Sequence, residues 1–115
     1  MNRTLAGTLL LVALLSSSAG GQGESAQVDA RYADVKAKEK AVRSALADPA
    51  ATSAMLKAVR TVVADYEALV RNFPASAYSD DALWFAGWLA IDSYERFGNE
   101  QERATGTRLW RALTS

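Results

Sequence analysis

The sequence predicts an all-α fold of about four helices packed as antiparallel pairs. Three observations point there. Beyond Gln27 there is no sustained period-2 alternation and no Asn-Gly or Asp-Gly hairpin turn, so strands have no signal. The same region is rich in Ala, Leu, Glu, Lys and Arg, the residues that lose least on entering a helix. Its apolar residues recur at three- and four-residue steps between punctuating prolines and glycines.

The chain opens on a different pattern. Arg3 supplies a positive charge, Leu5 to Leu15 form an apolar block of 11 residues, and Ser17 and Ala19 are small enough for a signal peptidase pocket. Residues 1–19 are therefore expected to be a Sec-type signal peptide. An 11-residue block is too short for a bilayer, which takes about 20 residues, so no stable membrane span is expected in the mature form. With no cysteine there is also no site for a lipid anchor. The expected location is periplasmic or secreted. Residues 20–27, with three glycines in the first four positions, are expected to be a flexible spacer, leaving residues 28–115 for the helical domain.

A first helix is expected from Val28 to Leu46, with Tyr32, Val35, Val42 and Leu46 on one stripe and Glu39 standing where another apolar contact belongs. The Lys36, Lys38 and Lys40 run reads as a solvated face offset by Asp34 and Glu39. Asp48 and Pro49 suit the N-cap and first position of a second helix. Met55, Val59, Val62, Val63, Tyr66, Leu69, Val70 and Phe73 give that helix its apolar face, and Pro74 stops it.

Ser79 is expected to cap a third helix, with Asp80 and Asp81 in its first turn against the positive end of the dipole. It ends at Gly98, a residue that accepts the left-handed conformation. This helix is apolar almost all round. Leu83, Gly87, Ala90, Tyr94 and Phe97 form one face, and Trp84, Trp88 and Ile91 another, which predicts neighbours on both sides. Asn99 with Glu102 makes a capping box for a fourth helix carrying Leu109, Trp110 and Leu113.

The second and fourth helices carry similar strings, Tyr66, Glu67, Ala68, Leu69 and Trp110, Arg111, Ala112, Leu113, 44 residues apart. Together with the Phe73-Pro74 turn and the acid-headed helix that follows, this is the layout of stacked helix-turn-helix repeats. The stretch from Tyr66 through Pro74 and Tyr78 to Leu83, Ala86 and Gly87 resembles tetratricopeptide repeats of exported bacterial proteins, as in the BamD-like outer-membrane assembly lipoproteins and the Tol-Pal coordinator family. The resemblance implies a short tetratricopeptide-like solenoid and assigns repeat-packing roles to Tyr66, Leu69, Pro74, Leu83, Gly87, Gly106 and Trp110. Two departures accompany it. Gly87 and Gly106 are 19 residues apart where the standard repeat has 12, and Ile91 stands where that repeat carries Tyr. The proline that would close the next repeat falls just past Ser115, so the last repeat is expected to be incomplete. The long variant also resembles the helical region preceding the catalytic domain in some exported N-acetylmuramoyl-L-alanine amidases.

Composition constrains function further. With no His and no Cys, the chain holds no Cys/His zinc site and no Ser-His-Asp or Cys-His nucleophile. Neither catalysis, metal nor cofactor is expected. The 13 basic and 13 acidic residues cancel, which gives no electrostatic reason to expect nucleic acid as partner. Asp80 and Asp81 are explained by their place at a helix start. The aromatic group on the third helix has two readings, packing between helices or a contact surface, and Trp84, Trp88, Ile91 and Tyr94 are the candidate partner-binding residues. Three functional expectations follow: an envelope module that binds another protein, the non-catalytic N-terminal part of an amidase whose C-terminal domain is encoded beyond this chain, or a small structural protein that forms a homo-oligomer.

Overall fold

A computed structural model describes residues 23–115, and the expected signal peptide lies outside them. The helices are α1 (Asn2–Leu46), α2 (Leu56–Asn72), α3 (Ser79–Phe97) and α4 (Glu100–Thr114), and the described residues contain no strand. The fold is all-α, as the patterning predicts. Residues 23–27, expected as spacer, continue α1 with every side chain exposed. No helix among the described residues is long and apolar enough to cross a membrane.

The α2–α3 pair forms the centre. Val59, Val62, Tyr66 and Leu69 of α2 meet Ala82, Ala86 and Leu89 of α3 in one buried cluster. The alanines of α3 allow close approach of the larger α2 side chains, while three- and four-residue spacing keeps both sets on facing stripes. α1 lies along one flank of the pair. It contributes Val28, Val35 and Val42 at seven-residue intervals, and it touches α3 through an Arg43–Asp92 ion pair of 2.8 Å and the residue before α3 through a Tyr32–Tyr78 stack with centroids 4.2 Å apart. α4 lies along the other flank, burying Leu109 and linking to α2 through Arg60–Glu102 and Arg108–Glu67.

The starts of α2 and α3 also differ from expectation. Asp48 and Pro49 do not open α2. The Asp48 side chain accepts from the Ala50 N–H at 2.9 Å in a local turn, Thr52 caps a 3-10 turn over Ser53–Met55, and α2 follows at Leu56. Arg96 reaches across from α3 and donates to the carbonyls of Leu46, Asp48 and Pro49, which satisfies the open end of α1 and holds the turn away from helix. At α3 the N-cap residue is Tyr78, not Ser79. The Ser79 hydroxyl donates backwards to the carbonyls of Phe73 and Pro74, and the Ser76 hydroxyl accepts from the Tyr78 N–H.

At the α3–α4 junction two terminal signals hold. The Asn99 side chain accepts from the Gln101 N–H at 3.1 Å, and Gly98 takes φ 73° beyond α3. A Cβ at Gly98 would meet nothing within 4 Å, so substitution there tests backbone strain alone. Gly98→Ala is expected to cost about 1 kcal/mol, read from the urea midpoint at unchanged m-value. An unchanged midpoint would contradict the left-handed geometry.

Candidate functional site

The α3–α4 crossing creates the most unusual surface on the molecule. Gly87 and Gly106 are both buried, and a Cβ on Gly106 would lie 2.6 Å from Ile91 Cγ1 and 3.1 Å from the Gly87 carbonyl oxygen. The two glycines bring the helix backbones into contact, and the Trp110 indole lies over Gly87 in the space a side chain would fill. Its Nε1–H donates to the Trp84 carbonyl at 3.4 Å. Held there, Trp110 offers its face to Trp84, with ring centroids 5.4 Å apart and planes inclined by 18°. Trp88 meets Trp84 edge-on at 5.3 Å and 78°.

All three tryptophans of the chain thus share one cluster, and its outer members face solvent. Trp84 is 41% exposed and Trp88 45%, the large apolar residues left open among those described. The neighbours expected on both sides of α3 are present, α1 and α2 on one and α4 on the other, and the tryptophan face between them stays open. Its Leu83, Gly87, Ala90 face meets α4 and the core, and Phe85 packs towards α1 with Lys36 Nζ 3.4 Å from its ring centroid, but among the described residues nothing beyond the Trp110 stack covers the Trp84–Trp88 face.

The other two candidate partner-binding residues are placed differently. Ile91 is half-buried against Gly106 and forms the inner margin of the open face. Tyr94 turns to the α4 side, beneath the Arg103 guanidinium at 5.9 Å, and leaves the tryptophan stripe. Among the repeat-packing residues, Tyr66 and Leu69 are buried where α1 meets α2, Leu83 packs on the core, Gly87, Gly106 and Trp110 meet at the α3–α4 crossing, and Pro74 sits exposed at the turn.

A second cluster was visible in the sequence only as a gap. Glu39, 3% exposed, occupies the missing apolar position on α1. It accepts from the buried Tyr66 hydroxyl at 2.5 Å and from Arg43 Nε at 2.7 Å, with Lys36 Nζ at 3.3 Å. Burial alone pushes the Glu39 carboxyl upward, but the Tyr66 and Arg43 hydrogen bonds and the charges of Lys36 and Arg43 outweigh it and hold the group below the ordinary carboxylate value. Burial, then the Glu39 carboxylate, push the Tyr66 phenol well upward. Glu102 is likewise buried. Instead of turning back onto the Asn99 N–H as a capping box would have it, it takes Arg60 in two hydrogen bonds of 2.6 and 3.2 Å. Every buried side-chain polar atom among the described residues has a partner, so these carboxylates are consumed in joining helices.

Asp80 and Asp81 lie exposed at the start of α3, and no group of three or more potential metal ligands occurs among the described residues. Compared with known proteins, the sequence matches no family model, no curated protein and no solved structure at a significant level.

Proposed function

We propose that this chain is a non-catalytic, exported helical-repeat module whose task is protein–protein contact in a bacterial cell envelope. The observation that carries this reading is the open tryptophan cluster. Two indoles stand partly open to water, Trp84 stacked on Trp110 and Trp88 edge-on to Trp84, an arrangement with a cost that a partner's surface would remove. A tetratricopeptide-like succession supports it: α1 meets α2 and α3, α2 meets α3 and α4, and α3 meets α4, so each helix packs on near neighbours in sequence as stacked repeats do. The apolar block at Leu5 to Leu15 supports export.

A photo-crosslinking residue placed at Trp88 tests the reading in cells. The expected result is one discrete adduct in the envelope fraction, absent when the same residue replaces the exposed Lys57 on α2. Uniform labelling from both positions, or a protein retained in the cytosol with its N-terminus uncleaved, would overturn it.

A further inference from the structure

The tryptophan face has a charge pattern as well as an apolar one. Along α3, Asp80, Trp84, Trp88, Ile91 and Glu95 follow one another at steps of four, four, three and four, which places them on a single stripe. The apolar residues occupy its middle and a carboxylate stands at each end, about 22 Å apart at the rise of an α-helix. Both carboxylates are exposed, and among the described residues neither is paired with a cation.

Four basic residues on or against α3 are, by contrast, already engaged. Arg43 is bound to Glu39 and Asp92, Lys36 lies on Glu39 and the Phe85 ring, Arg96 on the carbonyls of Leu46, Asp48 and Pro49, and Arg103 on Glu100. The face therefore presents two unpaired acids and aromatic rings, while these four cations are held by other groups. The indole N–H groups of Trp84 and Trp88 donate to no acceptor among the described residues, which leaves two further polar handles in the apolar middle.

Resting on the contact reading above, we infer that the occupant of this face is a basic–apolar–basic peptide segment of a partner protein, with Lys or Arg side chains at its ends. The ends would meet Asp80 and Glu95, and the apolar middle would cover Trp84 and Trp88. A cation next to the tryptophans would gain from their ring faces as well as from the carboxylates. An acidic segment would bring like charge onto both ends, and a second copy of this chain in two-fold contact would set its own Asp80 and Glu95 against the same residues or against the rings.

The test uses the purified protein and three helical model peptides of matched length and hydropathy. One carries Arg at both ends and Leu in the middle, one replaces Arg by Gln, and one has the first peptide's composition with the cations moved to the centre. Binding is read by the shift in tryptophan emission and by calorimetry at low and high salt. The first peptide is expected to bind about tenfold tighter than the others, with the advantage lost at high salt. Trp88→Ala is expected to weaken it about tenfold and the Asp80→Asn/Glu95→Gln pair several-fold, the latter a surface change that leaves the helix content of the protein unaltered. Equal binding of the Gln peptide or the rearranged peptide would overturn the inference, as would a dimer in light scattering that Trp88→Ala dissolves. If the charge preference is absent while the crosslink at position 88 persists, this inference alone fails; if the crosslink is absent too, the contact reading fails with it.

Discussion

Tyr66→Ala is expected to destabilise the fold by about 4 kcal/mol, roughly the cost of emptying a buried aromatic site. Tyr66 is fully buried at the point where α1 closes on the α2–α3 pair, so its removal leaves a cavity and strips Glu39 of its one donor from α2. For a domain of this size that is a large part of the total stability and corresponds to a fall of about 20 °C in melting temperature. Tyr66→Phe separates the two contributions. It keeps the ring and removes the hydrogen bond to a buried carboxylate that Arg43 and Lys36 still partly satisfy, with an expected cost of about 1.5 kcal/mol. Thermal melts of both variants check the pair of values. A Phe variant as stable as the parent would mean that the Tyr66–Glu39 bond contributes nothing.

The same cluster sets an acid limit. Because the folded Glu39 carboxyl is held below its ordinary value of 4.5, its contribution is fully present above that value and is lost as the pH falls through it towards the folded pKa. Glu39→Gln, which cannot ionise, is expected to lower stability at neutral pH and to flatten this part of the acid dependence. An unchanged pH profile in that variant would show that other carboxylates govern the acid limb.

The parts of this fold that were legible in the sequence are those fixed within a few residues. The end of α3 at Phe97, the left-handed Gly98 and the Asn99 cap depend on local spacing and local sterics, and all three stand where the pattern puts them. The misplaced starts share a different cause. Asp48-Pro49 reads as a helix start because nothing nearby in sequence announces Arg96, 47 residues on, reaching the Pro49 carbonyl. Ser79 reads as a cap because the Phe73 and Pro74 carbonyls that claim its hydroxyl do so only once the turn has closed. Glu39 was visible only as an absence in an apolar stripe. A period assigns a residue to a face, but the partner that makes a buried carboxylate tolerable, here Tyr66 27 residues away, is a property of the packed pair. The tryptophans illustrate the converse limit. Periodicity divides α3 into faces without saying how many of them acquire a neighbour, so Trp84 and Trp88 could be placed together on a face while packing and contact surface both stayed open.

Gly106→Val is expected to cost about 3 kcal/mol and to dismantle the tryptophan face as it does so. The first atom added at Gly106 would stand 2.6 Å and 2.7 Å from Ile91 Cγ1 and Cδ1 and 3.1 Å from the backbone oxygen of Gly87. Ile91 is β-branched and stiff at χ1, and the carbonyl belongs to α3 itself, so neither gives way cheaply and the helices must separate. Helix propensity works the other way, since any residue replacing Gly in a helix interior gains a few tenths of a kcal/mol, but this is small beside the overlap. Separation carries Trp110 off Gly87 and withdraws the ring on which Trp84 is stacked. A urea titration measures the first effect, and near-ultraviolet circular dichroism, dominated by the three coupled indoles, measures the second. A destabilised variant that kept its indole signal would show that Trp84 and Trp88 hold their positions without Trp110. A variant of parental stability would show that the α3–α4 crossing tolerates a side chain, and the close glycine contact would then not be what aligns the two helices.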